Sequence, residues 1–127
     1  MDFSIEVFFV NNCIKTEYRE RLLFELQSKK HREKAISRFA HSAETILKNG
    51  FVKTRFSDLK NCFKANDLEM CYVISGGLYD GDKLLFKDAI GFLNASYLPV
   101  ILISSKIIMI KEEFENKQPA LFLYQIN

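Results

Sequence analysis

Apolar positions recur at helical spacing in the first half of the chain and give way to short unbroken runs in the second. From Thr16 onward, Tyr18, Leu22, Leu23 and Leu26 fall on one side of a 3.6-residue period, with Glu17 and Glu20 in the first turns. Thr16 is a suitable N-cap, so this spacing predicts a helix over 17–27. Ser28 offers a second N-cap, after which Ile36, Phe39, Ala40, Ala43, Ile46 and Leu47 form one apolar stripe that Asn49-Gly50 stops. A short third helix is predicted over 58–64 behind Ser57, with Leu59 and Phe63 facing inward. Residues 3–10 fit either period, and their Phe, Val and Ile content favours a strand.

Beyond residue 66 the period changes. Met70-Cys71-Tyr72-Val73-Ile74 is continuously apolar and ends at Ser75-Gly76-Gly77, the pattern of a buried central strand. Asp80-Gly81 marks a turn, and Asp82 is an N-cap candidate for a helix over 83–94 that buries Leu85, Ala89, Phe92 and Leu93. Val100 to Ile103 reads as a second buried strand. Strand, helix and strand over about thirty residues is the spacing of a right-handed crossover between parallel strands. Further strands are predicted over 107–111 and, after Pro119, over 120–124. The expected fold is therefore α+β, with N-terminal helices packed on a small mixed sheet that contains one β-α-β crossover.

The 127 residues suit a single globular domain spanning 1–127, large enough to remove roughly two-thirds of the unfolded surface from water. Apolar residues at 48% and charged residues at 27% place the chain with ordinary globular proteins rather than disordered ones. Twelve Phe and five Tyr with no Trp point to an aromatic core. The start of the chain lacks the basic region of a secretory leader, and its apolar stretch over 7–10 is short for one. No segment approaches the roughly twenty apolar residues a membrane span needs. A cytoplasmic protein without a membrane partner is the simplest expectation. Cys13, Cys62 and Cys71 are an odd set without Cys-x-x-Cys spacing, which suggests reduced thiols rather than a disulfide framework or a zinc site.

Charge divides the chain. Residues 1–66 hold thirteen Lys and Arg against eight Asp and Glu, while 67–127 hold five against eight, so a net +2 conceals a dipolar molecule. Lys30, Lys34 and Arg38 repeat every four residues in the basic stretch Lys29 to Arg38. On a helix they would form one side able to track a phosphate backbone, or simply the solvated face opposite Ile36, Phe39 and Ala43. His31 and His41 with Arg38 suggest a ribonuclease-like set, but ten helical positions separate the imidazoles by about 15 Å and roughly 80°. Gly76-Gly77-Leu78-Tyr79-Asp80-Gly81-Asp82 lacks both the Gly-Lys-Ser/Thr ending of a phosphate loop and the spaced acids of an EF-hand. With two His and no local triad, enzymatic activity is not expected, and neither a metal nor a cofactor is implied.

Taken in order, Tyr18-Arg19-Glu20-Arg21-Leu22-Leu23-Phe24-Glu25-Leu26, then Lys30-His31-Arg32, Arg38-Phe39-Ala40-His41 and Cys71-Tyr72-Val73-Ile74-Ser75 with a later Asp80-Gly81, this sequence resembles a group of small bacterial immunity proteins. These accompany contact-dependent growth inhibition toxins and other polymorphic toxin systems. The resemblance implies a non-catalytic protein that binds the C-terminal nuclease domain of a cognate toxin and covers its active site or an adjacent surface. Nuclease toxins present cationic surfaces, so an acidic patch from Asp80, Asp82, Glu112, Glu113 and Glu115 would speed encounter, with Tyr79 and Tyr97 as aromatic anchors. The alternative is a small nucleic-acid-binding or regulatory protein that uses the Lys30, Lys34, Arg38 face.

Overall fold

The computed structural model describes residues 1–54, 69–112 and 121–126. The helix predicted over 58–64, together with Cys62, Glu113 and Glu115, lies outside the described residues. The strand expected over residues 3–10 is instead part of helix α1, Phe3–Cys13. Asp2 starts it by accepting from the Ser4 backbone N–H at 3.1 Å. The residues α1 buries, Glu6, Phe9, Val10 and Cys13, are three and four apart. A carboxylate at one of these core positions breaks the apolar stripe, so the period does not single out a helix and the Phe, Val and Ile content is left to suggest a strand.

Helix α2, Thr16–Leu26, matches its prediction to within one residue, although Thr16 is already helical and Lys15 precedes it without a side-chain cap. The long second helix divides: α3 is Arg32–His41 and α4 is Ala43–Ile46, with Ser42 between them at φ −119° and ψ 18°. Residues before Arg32 are a turn in which the Ser28 carbonyl accepts from the His31 and Arg32 N–H groups, at 3.1 and 2.9 Å. Lys30 is therefore not on the helix that carries Lys34 and Arg38.

Among the described residues six strands follow: β1 Val52–Thr54, β2 Met70–Ser75, β3 Lys83–Leu85, β4 Val100–Ile103, β5 Ile107–Lys111 and β6 Leu121–Gln125. They form one sheet in the order β1-β6-β5-β4-β2-β3, and every neighbouring pair is antiparallel. The class is α+β as expected, but among the described residues the expected mixed pairing is not found, and residues 70–74 pair with 100–103 antiparallel rather than parallel. After β2 the chain turns back through a hairpin, with Tyr79 at φ 63° and Gly81 at φ 81°, and Lys83–Leu85 pairs with β2 rather than opening a helix. Helix α5, Phe86–Ala95, starts only after Leu85, so Asp82 is not its cap. Because β3 and β4 are both antiparallel to β2 and flank it, they run in the same direction, and α5 joins them. The β-α-β crossover is thus present one strand later than the sequence suggests, joining β3 to β4 on either side of β2.

Both faces of the sheet are covered, and this explains the unbroken apolar runs. Tyr72, Ile74, Ile101, Ile103, Ile108, Ile110 and Phe122 pack with Phe9, Val10, Leu22, Leu26, Ile36 and Phe39 of the helical layer. The alternate residues Cys71, Val73, Val100, Leu102, Met109, Leu121 and Leu123 pack with Phe86, Ala89 and Leu93 of α5. Continuous hydrophobicity reports two-sided burial, which parallel sheets usually have and this antiparallel one shares. No helix among the described residues is long and apolar enough to cross a membrane.

Two core thiols set an alkaline limit on stability. Burial pushes both Cys13 and Cys71 up from 9.0 to about 12, with Lys48 partly opposing the shift at Cys13 and Glu69 adding to it at Cys71. Well below pH 9 each thiol is protonated in both the folded and the unfolded chain and adds no pH dependence. Above it the unfolded chain loses protons that the folded chain keeps, so stability falls as pH rises through this window. Urea denaturation is expected to show a loss on the order of 1 kcal/mol per thiol by pH 10. A Cys13→Ala, Cys71→Ala variant should show a correspondingly flatter profile between pH 8 and 10, whatever its stability at pH 7.

Candidate functional site

Antiparallel register gathers several of the predicted site residues at one end of the sheet. Ser75 lies opposite Val100, and Val100 opposite Lys111, so the loops over 76–82 and 96–99 and the residue Glu112 emerge together. The two loops carry Leu78 and Tyr97, each 74% exposed, and Tyr79 and Leu98, each 45% exposed. Between them runs a groove of about 340 Å³ whose walls include Gly77, Phe92 and Ala95. Tyr79 meets Phe92 edge to face, with ring centroids 5.1 Å apart and planes at 83°. Gly77 has a steric reason: a Cβ there would stand 3.2 Å from Leu98 Cδ1 and crowd the two loops apart. Tyr79 adopts a left-handed backbone that costs a bulky residue energy, so its ring is held in place against a backbone preference.

Asp80, expected on the surface of this loop, points inward. Its Oδ2 accepts from Arg32 Nε at 2.7 Å, and its Oδ1 accepts from Arg32 Nη2 at 2.9 Å and from the Ser75 backbone N–H at 3.1 Å. Arg32 also donates to Glu6, at 2.6 Å to Oε1 and 2.9 Å to Oε2, and to the Leu26 carbonyl at 2.8 Å. These contacts engage all five guanidinium N–H groups. Burial works against the charge, but the hydrogen bonds that Arg32 donates to Asp80 and Glu6 outweigh it and hold the guanidinium more firmly protonated than usual. Tyr72 completes the cluster, its hydroxyl donating to Glu6 Oε2 and accepting from the Asp2 N–H at 3.2 Å. Burial, followed by the Glu6 carboxylate, pushes that phenol above its ordinary range. With its donors all engaged, Arg32 has no N–H left for a substrate, and the cluster joins α1, α3, β2 and the 76–82 loop.

The second loop has its own buried cation. Lys111 is 5% exposed, and its ammonium donates to the carbonyls of Leu93 at 2.5 Å, Ser96 at 2.6 Å and Asn94 at 3.5 Å. These carbonyls close the C-terminal end of α5, where a cation is favoured by the helix dipole. Burial lowers the ammonium pKa from its ordinary value.

The remaining predicted residues separate. Asp82 is exposed at the base of the hairpin. Glu112 shares this end of the sheet but is half-buried, and its carboxyl is raised by burial; Lys53 and His41 oppose that shift and Glu44 adds to it. Alternation along β5 puts Glu112 on the side of Ile108 and Ile110, which is the helical layer, whereas Lys111 faces α5. Glu112 therefore belongs to a polar group with the Lys53–Glu44 pair, whose atoms are 2.6 Å apart, and not to the aromatic rim. On the basic side, Arg38 is turned to Glu25, while Lys29, Lys30 and Lys34 are exposed; Phe24 is 66% exposed and its ring lies 6.3 Å from that of His31. His31 stands just before α3 and His41 is its last residue, so the helix holds the two at its opposite ends.

Sequence reasoning missed Glu6, Arg32, Tyr72 and Lys111. Glu6 and Arg32 each occupy a core position of a helical stripe, beside Phe9 and Val10 in α1 and beside Ala35 and Ile36 in α3. Opposite charges at two such positions are the available sign of a buried pair. Among the described residues no group of His, Cys, Asp and Glu is placed to hold a metal ion. No family model, curated protein or solved structure matches this chain.

Proposed function

We propose that this chain is an immunity protein that neutralises a cognate toxin by binding its C-terminal, nuclease-type domain through the rim formed by Leu78, Tyr79, Tyr97 and Leu98. The observation that supports this reading is the concentration of four large apolar side chains, 45–74% exposed, on two anchored loops, where Leu78, Tyr97 and Leu98 line a groove and Tyr79 packs on Phe92 of its wall. Aromatic and aliphatic anchors beside a pocket are the arrangement of an interface hot spot, and a contiguous exposed apolar patch marks a binding surface. Asp82, exposed at the base of the hairpin that carries Leu78 and Tyr79, gives this loop a carboxylate suited to the cationic surface of a nuclease. The reading needs no catalysis by this chain.

The deciding experiment is titration calorimetry against the toxin domain encoded immediately upstream of the gene, with toxin activity assayed in parallel. Nanomolar one-to-one binding with loss of toxicity is expected, and absence of binding would end the proposal. Tyr79→Gly separates recognition from stability. Glycine relieves about 1 kcal/mol of left-handed strain while removing an aromatic contact worth about 0.5–1.5 kcal/mol. The melting temperature should therefore stay nearly constant while the dissociation constant rises about tenfold. A large drop in melting temperature would show that the ring serves the fold instead.

A second reading draws on Phe24, exposed beside His31, and on Lys29, Lys30 and Lys34, exposed on the turn and helix to either side of His31 in the chain, since an exposed ring together with cations can stack a nucleic-acid base. Its test is the binding of a single-stranded oligonucleotide at two salt concentrations, where affinity should fall steeply and Phe24→Ala should weaken it.

A further inference from the structure

We propose that Arg32 and Lys111 are positioning residues for the recognition rim, two buried cations from opposite faces of the sheet, each holding one of the two loops that carry its apolar side chains. This inference rests on the reading of the rim as the partner-binding surface. Arg32 reaches from the helical layer and grips Asp80 through two N–H groups, and the same carboxylate secures the Ser75 N–H at the loop entrance. Glu6 fixes Arg32 in turn through two further bonds, so the loop is referenced to α1 across a sequence separation of more than seventy residues. Lys111 performs the matching task on the other side. Its three carbonyl acceptors, Leu93, Asn94 and Ser96, bracket the point where α5 ends and the chain turns toward Tyr97 and Leu98.

Neither cation is placed to touch a partner, since Arg32 and Lys111 are only 7% and 5% exposed. Their effect on recognition must therefore pass through the loops. Fixing exposed side chains before binding removes the ordering cost that a flexible rim would bear on association. A buried charge is an expensive way to fill a core, and both of these sit directly beneath the two loops with the largest exposed apolar side chains at this end of the sheet. The sequence places Arg32 in its basic stretch and Lys111 at the end of a strand, so their shared role emerges only when the two loops meet.

The test uses conservative variants of the intact protein. Asp80→Asn retains shape and an acceptor but releases the charged grip, and leaves Arg32 paired with Glu6. Lys111→Met keeps the stem and removes the donors. Amide hydrogen exchange is read at Ser75, Gly81 and Asp82 for the first loop and at Ser96 and Leu98 for the second, all of which donate hydrogen bonds in the folded chain. Each variant is expected to speed exchange about tenfold or more in its own loop, with the central amides of β4 and β5 unchanged, and to weaken binding of the upstream-encoded toxin domain about tenfold. Unchanged loop exchange would overturn the inference whatever the partner does. Faster exchange with wild-type binding, while Tyr97→Ala still weakens the complex, would overturn the positioning role and leave the recognition reading intact. If Tyr97→Ala and Lys111→Met both bind as wild type, the rim is not the interface and the inference falls with that reading.

Discussion

Replacing Arg32 with methionine is expected to lower folding stability by about 3–5 kcal/mol in urea denaturation at pH 7, a large share of what a domain of this size has. Removing the guanidinium leaves Glu6, only 1% exposed, without its counter-charge in the core. It also deprives Asp80 of two bonds and the Leu26 carbonyl of one. The asymmetry of the cluster supplies an internal control. Glu6→Gln preserves an acceptor for the Tyr72 hydroxyl and leaves Arg32 charge-paired with Asp80, so it should cost clearly less than Arg32→Met. Equal losses would mean that Glu6 rather than Asp80 is the counter-charge that matters to Arg32. A negligible loss for Arg32→Met would mean that water reaches the cluster and that the apolar core alone carries the fold, and would remove the physical basis for a rigid 76–82 loop.

The combined substitution Leu78→Asp, Tyr97→Asp should abolish measurable binding to the toxin domain, raising the dissociation constant by about a thousandfold or more. Both side chains are mostly in water in the free protein, so the change removes two anchors and places carboxylates where the complex would have to desolvate them. Stability should change by no more than about 0.5 kcal/mol, the usual range for surface sites. Full protection against toxicity by this variant would refute the rim as the interface. The Asp82 carboxylate has its own readout. Asp82→Lys should slow association chiefly at low salt, whereas charge reversal at Asp80 would break the Arg32 cluster and report on folding instead.

The candidate site shows where local pattern stops being informative. Tyr79 and Tyr97 stand out from the sequence as possible anchors, yet they are eighteen residues apart, and nothing local says that a hairpin and a helix end will meet. That meeting follows from the register that sets Ser75 against Val100. Asp80 and Asp82 look equivalent in a glycine-rich loop, but one turns into the core and the other into solvent because Arg32 waits beneath only one of them. Glu6 shows the same limit from the other direction. A single carboxylate in a core position is enough to disguise α1 as a strand, since periodicity treats every charge as a surface mark.

By itself the sequence determined the α+β class, the α2 and α3 stripes and the four buried strand segments of the second half, because burial on one or two faces leaves its period directly in the order of residues. It also determined that the loop over 76–82 must turn, because Gly81 permits the backbone that the reversal requires. Only the tertiary structure decided that β3 precedes α5, that the sheet pairs antiparallel throughout, and that two basic residues lie beneath the rim rather than on the surface. Strand direction and the inward turn of a charge depend on partners far away along the chain, and those partners become neighbours only when the sheet closes over its two helical faces.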